Sequence, residues 1–303
     1  MAATSDLPAT TSNRSAVGEV TSTALTMAAL TLREAVRKRV VWALLGLSVL
    51  LLALSAWGFA KLPGMDSSLG QLTSTESRLI ASQLLNLVMF GLSMVVALGT
   101  AFLAGPTLGG EIESGVSLAM FARPVRRGAV LLGKWLGLVV FGSVYVGVVG
   151  LCQFVVVRVT VSYWPPQPLV ALALLALQTT VLLTLALLLS SLISPLASGI
   201  TTVGLFGAAW VAGVVGGVGQ ALDNRSVEQI GVVSQVLLPT DGLWRGAMHA
   251  IQDPTALATF GRAAEAFPFL SRGAPSSLYL GWALVWVGLM WTLCAVSLQR
   301  RDL

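Results

Sequence analysis

The chain has 303 residues, of which 55% are apolar and 10% charged, with a formal net charge of +5. A water-soluble domain carries about 25% charged residues, so this composition leaves too little polar surface for a soluble fold and selects lipid as the solvent. The positive charge does not indicate a nucleic acid as partner, because no basic face interleaved with exposed aromatics accompanies it.

Residues 1–23 are rich in Ser, Thr and Ala and lack the apolar segment of a signal peptide. They read as a disordered cytoplasmic tail. From residue 24 to 39, Leu25, Ala29, Leu32 and Val36 recur at helical spacing, away from Arg33, Arg37 and Lys38. This pattern predicts either an amphipathic helix lying in the headgroup plane or an extension of the first span.

The charges are segregated. No ionisable side chain occurs in Val40–Ala60, Leu79–Gly110, Trp135–Val157, Val159–Leu222 or Ala274–Gln299, apart from tyrosine and cysteine. A charge at the bilayer centre costs roughly 2.5–3.5 kcal/mol, and a span needs about 20 apolar residues. Four of these stretches hold one span each. The stretch Val159–Leu222 holds two, interrupted at Ser190, Ser191, Ser194 and Pro195. The expectation is six transmembrane helices near 40–60, 82–104, 135–157, 169–190, 198–219 and 278–298, in an all-α integral membrane protein. Residues 24–303 form its membrane domain.

Arg14, Arg33, Arg37, Lys38, Arg39, Arg123, Arg126, Arg127, Lys134, Arg300 and Arg301 fall on one side of such a bundle, against Lys61, Arg78 and Arg158 in the short loops opposite. The excess of Lys and Arg marks the cytoplasmic side, so both termini are expected there and segment 220–276 outside. The latter mixes the apolar run Ile230–Leu238 with Pro239, Asp241, Trp244 and Arg245. It reads either as a re-entrant or interfacial helix, with Trp244 at headgroup level, or as a soluble outer cap. In the fifth span, Gly213 and Gly217 have the spacing that lets helices approach closely, within the chain or between copies.

The connection 109–134 is the longest predicted cytoplasmic surface between spans. Glu111 and Glu113 open it, Val116, Leu118, Met120 and Phe121 form an apolar segment, and Arg123, Pro124, Arg126 and Arg127 follow. Pro124 breaks any continuous helix, so a short helix is expected around 112–121, with the two glutamates favouring its N-terminus. Its apolar residues have no core of their own to join and suit a buried contact with a partner. The arginines serve as topology signals or pair with partner carboxylates or anionic lipid.

Several motif matches are set aside. Gly128, Gly133 and Lys134 fit G-x-x-x-x-G-K, but the following position must be Ser or Thr to hold magnesium and is Trp135. His249 is the only histidine and neither Cys152 nor Cys294 is near it in sequence, so no zinc-type cluster is expected. The cysteines read as packing residues inside spans. Asn224-Arg225-Ser226 and Asn13-Arg14-Ser15 match a glycosylation sequon on opposite sides and read as chance.

With these elements placed, the chain resembles the permease subunits of type-2 ATP-binding-cassette exporters. The resemblance rests on the order of an amphipathic helix and six spans, on Glu111-Ile-Glu-Ser-Gly115, Arg123-Pro124-Val-Arg-Arg127 and Gly133-Lys134-Trp135 in the second connection, on Leu238-Pro239-Thr240-Asp241 with Trp244-Arg245, and on the ending Arg300-Arg301-Asp302-Leu303. It implies a half-transporter in a bacterial inner membrane, with an N-terminal elbow helix and a short cytoplasmic coupling helix. Two copies of this chain, or a copy and a paralogue, would pair with two ATPase subunits. ATP and magnesium would be held by the ATPase, and this chain would bind no cofactor. The residues implied in coupling are Glu111, Glu113, Gly115, Val116, Leu118, Met120, Phe121, Arg123, Pro124, Arg127 and Lys134. The absence of charge in the spans suggests an amphiphilic or hydrophobic substrate. Two other classes fit the sequence: an ATP-independent transporter or channel, which normally shows intramembrane ionisable residues, and a membrane subunit that anchors a partner or relays force without transport.

Overall fold

The computed structural model describes residues 12–61, 74–113, 127–255, 268–271 and 273–300. These residues form α1 (Ser12–Arg37), α2 (Arg39–Lys61), α3 (Ser74–Glu113), α4 (Arg127–Val161), α5 (Pro168–Ser190), α6 (Pro195–Ala221), α7 (Arg225–Leu237), α8 (Thr240–Ile251) and α9 (Ser277–Arg300), with no strand among them. Six helices are long and apolar enough to cross a membrane: Arg39–Lys61, Arg78–Thr107, Gly128–Val161, Pro168–Ser190, Pro195–Ala221 and Ser277–Arg300. The protein is therefore an all-α membrane protein of six candidate spans. On α2, the exposed residues Trp42 and Trp57 lie about 22 Å apart along the axis, a separation that suits the two interfacial levels of a bilayer.

Helices α3 and α5 occupy the middle and are the most buried of the six, whereas α2 and α9 lie outside. Leu85, Met89, Leu92, Phe154 and Leu183 are among the buried side chains that fill the space between them. Within this apolar core some buried polar side chains pair across helices. Trp135 Nε1 donates to Thr184 Oγ1 at 2.8 Å, and Ser55 Oγ donates to Gln153 Oε1 at 2.9 Å.

The ends of the spans depart from the sequence reading. Helix α3 continues through Glu113 and α4 begins at Arg127, so both run into the stretch read as a loop over 109–134. Gly109 and Gly110 do not stop α3, which packs through Gly105 and Gly109 on Ser190 and Pro195, the residues flanking the turn at 191–194. A Cβ on Gly105 would lie 2.6 Å from Pro195 O, and one on Gly109 would lie 3.0 Å from Ser190 O. Tertiary packing of this kind overrides the weak helix propensity of glycine. As a result Glu111 and Glu113 belong to the C-terminal end of α3, not to the N-terminus of a short following helix. Residues 114–126, which carry the expected coupling helix, lie outside the described residues.

Helix α1 begins at Ser12, inside the stretch 1–23 read as a disordered tail. It is held by α4 through small residues. Ala24, Thr31 and Ala35 are buried. A Cβ on Gly133 would lie 2.6 Å from Ala24 O, and one on Gly137 would lie 2.7 Å from Ala28 O. The Gly133-x-x-x-Gly137 face thus receives the backbone of α1 at close range, in the manner of small-residue helix crossings. Leu25, Ala29 and Val36, from the face singled out in the sequence, point away from the protein and are exposed.

Between α6 and α9 the chain folds back into the bundle. Asn224 caps α7 with its side chain, accepting from Val227 N at 3.3 Å, which gives this sequon asparagine a structural role. From there α7 runs antiparallel along α6: a Cβ on Gly216 would lie 2.7 Å from Gly231 Cα, and one on Gly219 would lie 2.4 Å from Glu228 N. The chain turns at Leu238-Pro239, and α8 returns to the same end of the bundle. There Gln167 N bonds Ala250 O at 3.0 Å and Tyr163 OH donates to Ile251 O at 2.6 Å. Burial, reinforced by Asp253 and opposed by Arg78, pushes the Tyr163 hydroxyl above its ordinary range, so it remains a donor to that carbonyl.

A helix end that faces lipid rather than water must satisfy its last four carbonyls within the protein. For α7 all four are satisfied. Ser234 O accepts from Leu238 N at 2.9 Å. Gln235 O accepts from Tyr279 OH at 3.4 Å, Val236 O from Trp282 Nε1 at 3.0 Å, and Leu237 O from Trp286 Nε1 at 2.8 Å. Three aromatic donors on one face of α9 therefore close the tip of the hairpin. Trp286→Phe keeps most of the ring and removes the donor to Leu237 O. The expected cost is about 1 kcal/mol for a part-buried carbonyl that loses its donor, read as a lower melting temperature of the purified chain in detergent.

Candidate coupling face and buried hairpin site

One end of the bundle carries Lys38, Lys134 and the 191–194 turn, and is called here the basic end. Thr107, buried on α3 one residue after Pro106, is its centre. Lys38, at the bend between α1 and α2, donates from Nζ to Thr107 Oγ1 at 3.2 Å and pairs with Glu34 at 3.0 Å. Lys134, on the second turn of α4, donates from Nζ to Thr107 O at 3.1 Å. Lys134 is only 5% exposed, and a buried ammonium is tolerated only where it is well bonded. Lys38, between α1 and α2, and Lys134, on α4, thus hold the same residue of α3. Ser190 and Pro195, which flank the turn at 191–194, hold the adjoining Gly105 and Gly109.

Of the residues expected to couple to a partner, Lys134 is buried in this way, Arg127 is the first residue of α4, and Glu111 and Glu113 end α3. Gly115, Val116, Leu118, Met120, Phe121, Arg123 and Pro124 lie outside the described residues. The G-x-x-x-x-G-K match falls inside α4. Its backbone amides belong to a helix, Gly133 receives α1, and Trp135 points to Thr184.

The opposite end, called here the hairpin end, holds the second site. Asp241 opens α8 and is 3% exposed. Its Oδ2 accepts from Arg245 Nε at 2.8 Å and from Gln235 Nε2 at 2.9 Å, while Arg245 Nη2 donates to Gly213 O at 2.6 Å. Gly213 lies about 12 Å along α6 from that helix's end, so an ion pair sits well within the bundle. Gly213, read from sequence as a helix-packing residue, faces this carboxylate: a Cβ there would lie 2.1 Å from Asp241 Oδ2. Gly217, the other residue singled out for packing, lines the adjoining cleft of about 400 Å³ with Gly216, Glu228, Gln235, Arg245 and Tyr279. The close helix contact in this region is made by Gly216 and Gly219 against α7.

Two features of this end differ from the sequence expectation. Trp244, expected at headgroup level, is 1% exposed and packs with its ring centroid 5.4 Å from that of Phe90 on α3. The bundle interior, expected to be free of charge, contains the Asp241–Arg245 pair. Both differences have one cause: α8 lies neither at headgroup level nor in an outer cap but is buried among α3, α5 and α6. The spacing of Asp241 and Arg245, at i and i+4 on one helix face, was the available signal.

Among the described residues no three His, Cys, Asp or Glu side chains gather as metal ligands. His249 Nδ1 lies 3.4 Å from Ser271 O. Cys152 on α4 is exposed and Cys294 on α9 is buried, both as free thiols.

Six candidate spans and a hairpin folded back among them define a polytopic α-helical membrane protein. The sequence model described as ABC-2 family transporter protein matches residues 25–303, and the chain belongs to that family. Membership supports a permease role and association, in general, with an ATP-binding-cassette ATPase. A search of curated proteins finds no match.

Proposed function

We propose that the chain is the permease half of an exporter, driven by ATP hydrolysis in a separate subunit that docks on the 109–134 connection. Two permeases, identical or paralogous, pair with two ATPases in a bacterial inner membrane, both termini cytoplasmic, and the substrate path lies between the permeases. This chain contributes no catalytic group, and ATP and magnesium are held by the partner. The observation that carries the reading is the family match over the whole membrane domain. The mounting of the 109–134 connection supports it: α3 and α4 lead into it as long helices packed closely on their neighbours, which suits the transmission of force.

An ATP-independent carrier would use an intramembrane ionisable group that changes state. Asp241 is the group in that position, but it is locked between Arg245, Gln235 and the wall at Gly213. Such a pinned pair suits a structural role.

Two measurements test the proposal. The isolated chain is expected to show no magnesium-dependent ATP binding; stoichiometric binding would assign the energy source to this chain and overturn the reading. Single cysteines at Asp6, Ser117 and Ser226, in a chain with Cys152 and Cys294 replaced by alanine, report the orientation. An impermeant thiol reagent on intact cells is expected to label Ser226→Cys alone. Labelling of Ser117→Cys but not Ser226→Cys reverses the orientation.

A further inference from the structure

The contacts at the basic end carry an inference that rests on the permease reading and deepens it. The part of the 109–134 connection between Glu113 and Arg127 is joined to the bundle at two points, the end of α3 and the start of α4. If these were its only attachments, a push on the connection would act on two helices. Thr107 adds a third attachment. It lies about 9 Å of helix before Glu113 and is gripped at its hydroxyl by Lys38 Nζ (3.2 Å) and at its carbonyl by Lys134 Nζ (3.1 Å). Lys38 is the single residue between α1 and α2. Lys134 lies next to Gly133, where α4 meets the backbone of α1.

We infer that Lys134 and Lys38 are positioning residues for coupling: by clasping Thr107 they tie α1, α3 and α4 into one block, so that displacement of the 109–134 connection moves α1 together with α3. The contacts are suited to this. Both are charge-assisted hydrogen bonds, stronger than neutral ones, and Lys134 is shielded from water. Both act on one residue, so neither lysine follows α3 without the other. The seat of Gly105 and Gly109 on Ser190 and Pro195 extends the block to α5 and α6 on the other side of α3.

The test uses the chain copurified with its ATPase in lipid vesicles, with Cys152 and Cys294 replaced by alanine. Spin labels are placed on exposed positions, Leu25 on α1, Leu192 in the turn and Leu278 on α9. Distances Leu25–Leu278 and Leu192–Leu278 are measured by pulsed electron paramagnetic resonance with and without a non-hydrolysable ATP analogue. In the parent complex both distances are expected to change. In Lys134→Met, and in Thr107→Val, which keeps the bulk but removes the hydroxyl, the Leu25–Leu278 change is expected to fall by at least half while the Leu192–Leu278 change persists. Lys134→Arg is expected to restore it. A Leu25–Leu278 change of parental size in both variants overturns the clasp. Absence of any nucleotide-driven change in the parent complex overturns the permease reading, and the clasp with it. A merely structural role for Lys134 would reduce both distance changes together, which also counts against the inference.

Discussion

Gly213→Ala is expected to destabilise the protein by about 3–5 kcal/mol. The added methyl carbon would sit 2.1 Å from Asp241 Oδ2, 2.3 Å from its Cγ and 2.5 Å from Oδ1. The carboxylate has no room to retreat, because Arg245 and Gln235 hold it from the other side. Either the helices α6 and α8 separate, at the usual cost of overpacking of about 1–3 kcal/mol, or the ion pair breaks. Removing one partner's contact in a buried pair costs about 3–5 kcal/mol, and Asp241 is almost completely buried. The same helix supplies the controls. A Cβ on Gly204 or Gly207 meets nothing within 4 Å, so alanine there is expected to be neutral or mildly stabilising. Thermal unfolding of the three variants in detergent checks the prediction. Equal melting temperatures for all three would remove the buried ion pair from the account.

The second large effect is expected at Phe121. As an aromatic residue in the apolar segment of the connection, it is the strongest candidate for an anchor buried in a groove of the ATPase. Loss of one such anchor typically costs at least about 2 kcal/mol of binding, and an unpaired carboxylate in its place adds to that. Phe121→Asp is therefore expected to abolish coupled ATP hydrolysis and weaken the complex by more than tenfold, while the chain still inserts in the membrane. Wild-type copurification and full activity of this variant would assign the docking surface elsewhere.

The spans were legible because membrane insertion is decided by charge, and the uncharged stretches show directly in the sequence. Their ends were less legible, because Gly105, Gly109 and Gly133 act through close contacts with other helices. A glycine that ends a helix and one that receives a neighbour look alike in a sequence; the spacing of Gly133 and Gly137 opposite Ala24 and Ala28 was the usable signal. The start of α1 at Ser12 lies among Ser, Thr and Ala residues whose pattern resembles that of a disordered tail. The hairpin was half visible. Its apolar run and Pro239 suit a re-entrant helix, but nothing local distinguishes Trp244 at a headgroup from Trp244 against Phe90. Closure of the α7 tip depends on Tyr279, Trp282 and Trp286, more than 40 residues further along the chain, so it requires the tertiary structure.

The central claim, that a separate ATPase drives this chain through the 109–134 connection, is tested most directly by copurification. The affinity-tagged chain, extracted from its native membrane in mild detergent, is expected to bring down an ATP-binding-cassette ATPase in equal amount, with magnesium-dependent ATP hydrolysis in the complex and none in the chain after the partner is stripped away. A chain that purifies without any ATPase, or one that hydrolyses ATP alone, contradicts the account.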